Sequence, residues 1–366
     1  MKTLRWYLFK LHLTYIAVAF IFLTSLFLLL DISNNADRVL SEHQHHISAL
    51  GKYILLTIPD IGMLMMPFST LLGSLLFLSR LSQNREIMAA KACGIAFHQF
   101  FLSLMPTGIL MMVLFFLGAD KLVPYTAQEL TSWEQQSFKS SDQLIFEVPL
   151  VKNLWLKEGN DFIAIENVYA EGTYLTDITI FKRDKDSRLL QQITAATASW
   201  QPHQGWILQN GQVFNTEIRS QNIGYKADPF IEMAWSTTLK PSNIKEISKT
   251  GSELTLSELY RFSQPTSIGF NPLYYYESWF YRRLSSPFMC LIMILLASTA
   301  AQLLPRKTNI AQNLMIGVGL GFSYFVIDGI MLTFGQSGIL SPLIAAISPL
   351  GIFAAIGLWG LMRNDA

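Results

Sequence analysis

Charged residues are scarce in this sequence, and cysteine is nearly absent. Asp, Glu, Lys and Arg make up 14% of the 366 residues, against about a quarter in a typical soluble domain. The formal net charge is +1, which argues against the basic surface of a nucleic-acid-binding protein. The only cysteines are Cys93 and Cys290, so no disulfide bridge can hold the long region between them. The shortage of charge indicates a membrane protein rather than a soluble one.

The sequence also lacks the motifs of nucleotide binding and of common catalytic sites. The only Gly-Lys pair, Gly51-Lys52, has no glycine at the position that a P-loop requires. H-E-x-x-H, G-x-S-x-G and C-x-x-C are missing as well. We therefore expect no cofactor in this chain and no covalent chemistry. If ATP drives the protein, a partner chain binds the ATP and its Mg²⁺.

Long apolar runs are what the sequence has in place of charge. A helix that crosses a bilayer needs about 20 mostly apolar residues. Stretches of this length and composition occur at 11–30, 54–79, 92–119, 284–305 and 308–362. The last stretch is divided by FGQSGILSP (334–342). This pattern predicts six transmembrane helices, three on each side of a long polar region.

The polar region between the helices has the pattern of an all-β domain. Apolar and polar residues alternate in FIAIENVY (162–169), LTDITIFKRD (175–184), QQITAATASW (191–200) and GWILQNGQVFN (205–215). Such alternation, with Gly, Asn or Asp between the segments, is typical of antiparallel strands in a sandwich or jelly roll. The expected fold class is an α-helical membrane protein with an inserted all-β domain of the sandwich or jelly-roll kind.

Domain bounds follow from these patterns. We expect helices one to three in 1–125, with a short cytoplasmic helix at about 82–93. The β domain then occupies 126–270, and helices four to six occupy 271–366.

The distribution of Lys and Arg predicts the orientation in the membrane, because basic residues concentrate in short cytoplasmic loops. One side of the membrane would carry Lys2, Arg5, Lys10, Arg80, Arg85, Lys91, Arg306, Lys307 and Arg363. The other short loops carry only Arg38 and Lys52. We therefore expect both termini in the cytoplasm and the β domain on the outer side of the membrane.

A compact charged segment, LSQNREIMAAKACG (81–94), lies between the second and third apolar runs. On a helix, Glu86 shares a face with Ala89, Ala90 and Cys93, which are small enough to allow close approach of another protein. Such a helix suits a membrane protein that receives mechanical work from a soluble ATPase. The simpler interpretation is a solvated loop at the level of the lipid headgroups.

The same part of the chain carries a family pattern. Its Pro67, Leu71 and Gly73 are followed by a turn with Arg85-Glu86-Ile87 and by the stop Ala92-Cys93-Gly94. The run 58–94 thereby resembles the LptF/LptG permease family of the lipopolysaccharide export ABC transporter, although the family has Ser or Thr at the position of Arg85. The resemblance covers nearly the whole chain. The phrase WLKEGNDFIAI and the ending LWGLMR favour the LptG branch.

The resemblance implies that the β domain is a periplasmic jelly roll, and it also implies a function and a set of partners. The chain would pair with an LptF paralogue in the bacterial inner membrane, above an LptB ATPase dimer that binds the ATP, with LptC threaded beside the pair. It would take lipopolysaccharide from the membrane lipid and pass it to a periplasmic bridge toward the outer membrane. Glu86 would couple to the ATPase, with Arg85, Ile87, Ala89 and Ala90 around it.

The resemblance and the residue types also suggest lipopolysaccharide contacts. Arg matches phosphate oxygens with paired donors, which makes Arg38, Arg282 and Arg283 candidates for the phosphates. Apolar side chains for the acyl chains would be Met65, Phe68, Tyr324 and Phe325. Each also has an ordinary alternative, since Arg anchors helix ends and apolar residues of spanning helices mostly face lipid or other helices.

Two rival functions remain open from the sequence. Asp60 and Asp328 lie in apolar surroundings, where acids are costly and hint at function, and together they could form an aspartyl enzyme dyad. The three-plus-three layout would also suit a stand-alone secondary transporter. His43, His45 and His46 form a histidine-rich loop, but the sequence places no further ligands there, and we expect no metal site.

Overall fold

The chain forms two compact units in the computed structural model. The structure describes residues 2–42, 47–92, 101–138, 151–169, 172–184, 186, 188–202, 204–219, 222–247, 249–264, 271–303 and 310–363. The first unit, called here the membrane unit, comprises Met1–Trp133 and Glu277–Ala366. The second, called the β unit, comprises Glu134–Tyr276.

Helices dominate the membrane unit. In chain order, the helices of the described residues are α1 (Lys2–Glu42), α2 (Ile47–Gln83), α3 (Glu86–Ala92), α4 (Met105–Leu117) and α5 (Val123–Phe138), then α6 (Pro241–Ile247) and α7 (Leu256–Phe262), then α8 (Leu273–Ser285), α9 (Met289–Leu303), α10 (Ile310–Gln336) and α11 (Pro342–Arg363). A π-helical segment, Gly118–Leu122, joins α4 to α5, and a 3₁₀ turn, Ser286–Phe288, joins α8 to α9.

Six helical stretches of the described residues are long and apolar enough to cross a membrane. They are Arg5–Asp37, Ile47–Gln83, Met105–Trp133, Leu273–Ala301, Met315–Gln336 and Pro342–Met362. This count, together with the β unit inserted between the third and fourth stretches, confirms the predicted helical membrane protein with an inserted all-β domain. The bounds differ most for the third stretch, which continues to Trp133 instead of ending at residue 119. The apolar run ends at Asp120 and Lys121, but the helix does not, because charged residues are compatible with a helix that continues beyond the lipid.

The second span forms the centre of the membrane unit. Two thirds of its apolar stretch (67%) is buried, a larger share than in the other spans. Glycines of α10 allow its close approach: a Cβ added to Gly317 would lie 2.4 Å from the Leu75 side chain, and one added to Gly321 would lie 2.2 Å from Leu71. Small residues at helix contacts are common in membranes, where tight packing replaces the hydrophobic effect between helices.

The β unit contains one antiparallel sheet of six described strands. They are β1 (Val151–Glu158), β2 (Asp161–Tyr169), β3 (Tyr174–Arg183), β4 (Leu189–Gln201), β5 (Gly205–Arg219) and β6 (Asn222–Trp235). Each strand pairs with its neighbours in sequence, so the described strands form a meander. The crossing connections of a jelly roll, which the family resemblance predicts, do not occur among them.

The alternation pattern predicted β2 to β5 correctly and missed the two strands at the sheet's edges. β1 and β6 are the first and last strands in the order of the sheet. Polar residues interrupt their patterns, and Pro229 lies within β6 opposite Gln212. Proline has no backbone N–H to donate to a neighbouring strand, and sheets tolerate it mainly in edge strands.

A line of unpaired residues, called here the crease, crosses the whole sheet. In each strand one residue is left out of the ladder while the pairs before and after it keep the same register. These residues are Asn153, Glu166, Asp177, Ala196, Asn210 and Ile231, and all six are exposed. In β1, β3 and β5 the crease residue is Asn or Asp with φ of +54°, +52° and +53° respectively. Asn and Asp tolerate this left-handed conformation better than other non-glycine residues do.

The crease keeps one face of the sheet apolar along its full length. In β2 the buried side chains are Ile163 and Ile165 before the crease and Val168 after it. In β3 they are Leu175 before it and Ile178 after it. The crease residue of each strand shifts the alternation of buried and exposed side chains by one residue, as a β-bulge does. A β-bulge affects one strand of a pair, whereas here the crease residues of all six described strands lie opposite one another. Apolar side chains on both sides of the crease therefore stay buried.

Next to the crease, Gly211 of β5 allows a close approach of backbones. A Cβ at this position would lie 2.2 Å from the carbonyl oxygen of Thr194 and 2.3 Å from the ring of Phe230. Deeper in the sheet, the buried indole of Trp206 donates to the Leu239 carbonyl at 2.8 Å. A short region after the strands thereby covers part of the apolar face.

Candidate functional site

The predicted coupling segment is a short helix that follows α2 after a tight turn. The backbone N–H of Asn84 donates to the Arg80 carbonyl, and that of Ala89 donates to the Arg85 carbonyl. Between them, Arg85 has φ of +59°, which is uncommon for a residue with a side chain. The left-handed residue ends α2 and starts α3 in a new direction.

Glu86 is the first residue of α3, and its side chain accepts a hydrogen bond from a residue of the preceding turn. The Asn84 side-chain amide donates to Glu86 Oε1 at 3.2 Å. Glu86 is half-buried, while Arg85 and Ala89 are exposed. The side chains of Ile87 and Ala90 are not described, and Cys93 lies outside the described residues. The structure thus presents Glu86 and Ala89 on a short helix, and the coupling role of these residues stays a prediction.

The paired arginines of α8 both contact other helices of the membrane unit. Arg282 Nη2 lies 2.7 Å from Asp328 Oδ2 on α10 in an ion pair, without the alignment of a hydrogen bond. The guanidinium of Arg282 also lies 5.6 Å from the centre of the Trp279 ring. Arg283 is buried and donates to the carbonyl of Ala119 in the π-helical segment. A lipid phosphate would therefore have to compete with Asp328 for Arg282.

The two acids of the enzyme hypothesis have different neighbours. Asp328 is buried against the cation of Arg282. Asp60 is exposed on α2 and lies within electrostatic range of Asp31 on α1. An aspartyl dyad requires two carboxyl groups that share a proton, whereas the described contact of Asp328 is with a cation.

The predicted acyl-chain residues fall into two groups. Met65 and Tyr324 are core residues with 3% and 1% of their surface exposed, and Tyr324 packs edge-on against Phe353. Phe68 and Phe325 are partly exposed and stack on each other, with ring centres 3.9 Å apart. Of the four predicted residues, only Phe68 and Phe325 have exposed surface that an acyl chain could contact.

The remaining predicted site residues are less defined. Arg38 lies within α1, and its side chain is not described. His43, His45 and His46 lie outside the described residues.

One polar cluster escaped the sequence analysis. His12 of α1 is fully buried, and its ring contacts a side chain on each of two other helices. Nδ1 lies 3.1 Å from Thr107 Oγ1 on α4, and Nε2 lies 2.8 Å from Ser74 Oγ on α2. A histidine in an apolar run is costly in lipid unless it has partners, so the position of His12 in the first apolar run is the sequence signal for this cluster.

These features define a class of protein before any relative is considered. The chain is a helical membrane protein with an inserted β unit, a short charged helix between two spans and no P-loop. That combination fits a membrane transport protein.

Comparison with known proteins identifies the family. The model of the family described as "Lipopolysaccharide export system permease LptF/LptG" matches residues 6–363. The chain therefore belongs to the LptF/LptG family, as the sequence resemblance predicts.

Curated relatives carry the name of one branch. The chain is 26% identical to the "Lipopolysaccharide export system permease protein LptG" of Escherichia coli strain K12 over 351 residues, which cover 93% of this chain and 94% of that protein. It is 24% identical to the protein of the same name from Haemophilus influenzae over 314 residues, 84% of each chain. The predicted LptG branch agrees with these names.

Proposed function

We propose that this chain is an LptG-type permease subunit that extracts lipopolysaccharide from the inner membrane and passes it to a periplasmic bridge toward the outer membrane. The match of the family model to residues 6–363 carries this proposal. The permease names of the relatives support it over nearly their full lengths.

The proposal also includes partner proteins, which supply the parts of the transporter that this chain does not. An LptF-type paralogue forms the other half of the cavity, an LptB-type ATPase dimer binds ATP and Mg²⁺, and LptC joins the complex. Both termini and α3 face the cytoplasm, and the β unit faces the periplasm. No nucleic acid is involved, and this chain performs no hydrolysis.

In this scheme α3 receives the work of the ATPase. The Glu86 carboxylate enters a groove of the ATPase, and the Arg85 turn transmits the movement of α3 to α2. As the cavity collapses, it expels the acyl chains. The apolar interior of the β domains then receives them, since exposing a chain to water costs about 0.8 kcal/mol per CH₂ group.

The first experiment tests Glu86 in the reconstituted complex. Glu86→Ala should weaken retention of the ATPase or uncouple ATP hydrolysis from lipid release, because a buried charge contact costs several kcal/mol to break. Co-purification and release of lipopolysaccharide from liposomes per ATP hydrolysed provide the two readouts.

Gln83→Ala is the matched control, since Gln83 is exposed at the end of α2 next to the same turn. A Glu86→Ala complex that assembles and exports like the parent would refute the coupling role. Lipid transport by the chain without any ATPase would instead support the secondary transporter. An activity of the isolated chain that Asp328→Asn abolishes would support the enzyme.

A further inference from the structure

The buried histidine of α1 is the node of a polar cluster that joins three spans. His12, Ser74 and Thr107 belong to α1, α2 and α4, and each is 0% exposed. Both ring nitrogens of His12 have a hydroxyl within hydrogen-bond distance. The contact thus fixes three helices relative to one another through one side chain.

The hydroxyl of Ser74 fixes the direction of one hydrogen bond. Ser74 Oγ donates its only proton to the Thr70 carbonyl, at 2.6 Å. It must therefore accept from His12, which places a proton on Nε2. In a neutral ring Nδ1 then accepts from the hydroxyl of Thr107. Every member of this chain of hydrogen bonds has a defined role.

A second set of contacts extends the cluster toward the coupling segment. One turn beyond His12, the Tyr15 hydroxyl accepts from Arg80 Nη1 at 2.8 Å. Phe77 lies between the two contacts, with its ring centre 4.9 Å from that of His12 and 6.3 Å from that of Tyr15. The residues of α2 in this set recur every three positions, at 74, 77 and 80, so they follow one face of the helix.

The cluster lies close to where α2 ends and α3 begins. Ser74 is nine residues from Gln83, the last residue of α2, which corresponds to about 14 Å along a helix. Between the cluster and α3 lie only the last turns of α2 and the turn at Asn84 and Arg85. Along α2, a displacement of α3 therefore reaches this cluster before it reaches the rest of the helix.

We propose that His12 is a positioning residue that locks α1, α2 and α4 into one body, so that a displacement of α3 moves these three spans together. Without the lock, α4 would be less firmly joined to α1 and α2, and part of the displacement would be lost between the helices. The inference depends on the proposed export function only for its transport readout.

The transport experiment uses the full complex in liposomes. His12→Leu should lower the lipopolysaccharide released per ATP by about fivefold, the size of effect that residues between coupled sites produce, while ATP hydrolysis continues. His12→Gln retains an amide donor and acceptor and should restore most of the loss. Thr107→Val removes one contact without changing shape and gives an intermediate loss. It also supplies the measurement if His12→Leu fails to accumulate.

Thr24→Val is the matched control, because Thr24 is also buried on α1 and its hydroxyl has no partner among the described residues. Normal export by His12→Leu or Thr107→Val, or failure of His12→Gln to rescue, would overturn the proposal. If the parent complex itself releases no lipopolysaccharide, the proposed function fails instead.

A spectroscopic readout tests the lock without any transport. In the complex labelled with ¹⁵N-histidine, the His12 signal, assigned by its loss in His12→Gln, should report a proton on Nε2. Thr107→Val should shift the Nδ1 signal, since it removes the partner of that nitrogen. A proton on Nδ1 of a neutral ring, or no shift in Thr107→Val, would contradict the arrangement of hydrogen bonds.

Discussion

Each of the two units is stabilised internally by a different kind of contact. In the β unit, apolar side chains cover one face of a continuous sheet, and any strand contributes several of them. In the membrane unit, a few specific contacts join the spans, such as His12 with Ser74 and Thr107, and Arg282 with Asp328. Burial from water stabilises the first unit. In lipid that driving force between helices is absent, so polar contacts and close packing replace it.

This difference makes the membrane unit more sensitive to single polar substitutions. A strand that loses one apolar side chain keeps its neighbours on the same face. A span that loses an ionic partner leaves the other charge of the pair uncompensated inside the membrane unit. The predictions below test this contrast in the full chain, from the largest expected effect to the smallest.

The ion pair between α8 and α10 should give the largest effect. Asp328→Leu leaves Arg282 without its partner and should destabilise the membrane unit by about 3 kcal/mol, at the lower end for buried pairs because Arg282 is one quarter exposed. The thermal unfolding midpoint of the purified protein in detergent measures the loss.

The double variant Arg282→Met with Asp328→Leu should recover most of that stability, since it removes both charges of the pair. Asp60→Asn is the control, because Asp60 is an exposed acid on a neighbouring span. An Asp328→Leu protein as stable as the Asp60→Asn protein would show that the pair contributes nothing, and the contrast between the units would lose its main support.

The crease should respond with smaller and separable effects. Asn153→Ala, Asp177→Ala and Asn210→Ala should each destabilise the β unit by about 1 kcal/mol, because alanine disfavours positive φ. Asp177→Gly should be at least as stable as the parent, since glycine adopts this conformation without strain. Hydrogen exchange of the amides in β2 to β5 measures both outcomes.

The three alanine effects should add, because the residues are separated by intervening strands and share no partner in the ladder. Equal losses for Asp177→Ala and Asp177→Gly would show that the Asp side chain, rather than the backbone conformation, matters at the crease.

The smallest effect should come from an acid at the start of α7. Burial raises the pKa of Glu258, but the hydrogen bonds from Thr255 and the cation of Lys249 outweigh it and hold the pKa below its usual range. Glu258 and Thr255 form a reciprocal cap on the helix. A lowered pKa means that the stabilisation is present at neutral pH and is lost as the pH falls below about 4.

Glu258→Gln should therefore destabilise the β unit by about 0.5 kcal/mol at pH 7 and by less at pH 3, where more of the carboxyl group is protonated. Glu232→Gln, on β6, is the control with an exposed acid. Hydrogen exchange of the α7 amides at the two pH values gives the comparison. If Glu258→Gln destabilised the β unit equally at pH 7 and pH 3, the effect would come from the shape of the side chain rather than from its charge.

The spans were predictable because lipid imposes a minimum apolar length. That criterion finds the part of each helix inside the bilayer and misses the rest, so it ended the third span at residue 119 while the helix continues. The central strands were predictable for a similar reason, since one face is buried. In β1 one face is buried as well, through Leu154 and Leu156, but the charged residues of β1 and Pro229 of β6 interrupt the apolar pattern of the edge strands.

The specific contacts were beyond the reach of local patterns. Arg282 and Arg283 were recognised as important, but nothing in their surroundings indicates that Asp328 and the Ala119 carbonyl are their partners. The crease left a trace that pattern counting can detect: in β2, buried Ile163 and Ile165 are followed by buried Val168 instead of a residue at 167. A shift of this kind at the same level in several strands predicts a crease rather than separate errors.

Because all six strands make that shift together, their lengths cannot drift independently during evolution. Deleting Asp177 alone would leave β3 one residue shorter than its neighbours, so Ile178 and Ile180 could not keep their positions opposite Ile165 and Ile163 of β2. Natural relatives should therefore gain and lose residues in the hairpin loops, and rarely within a single strand.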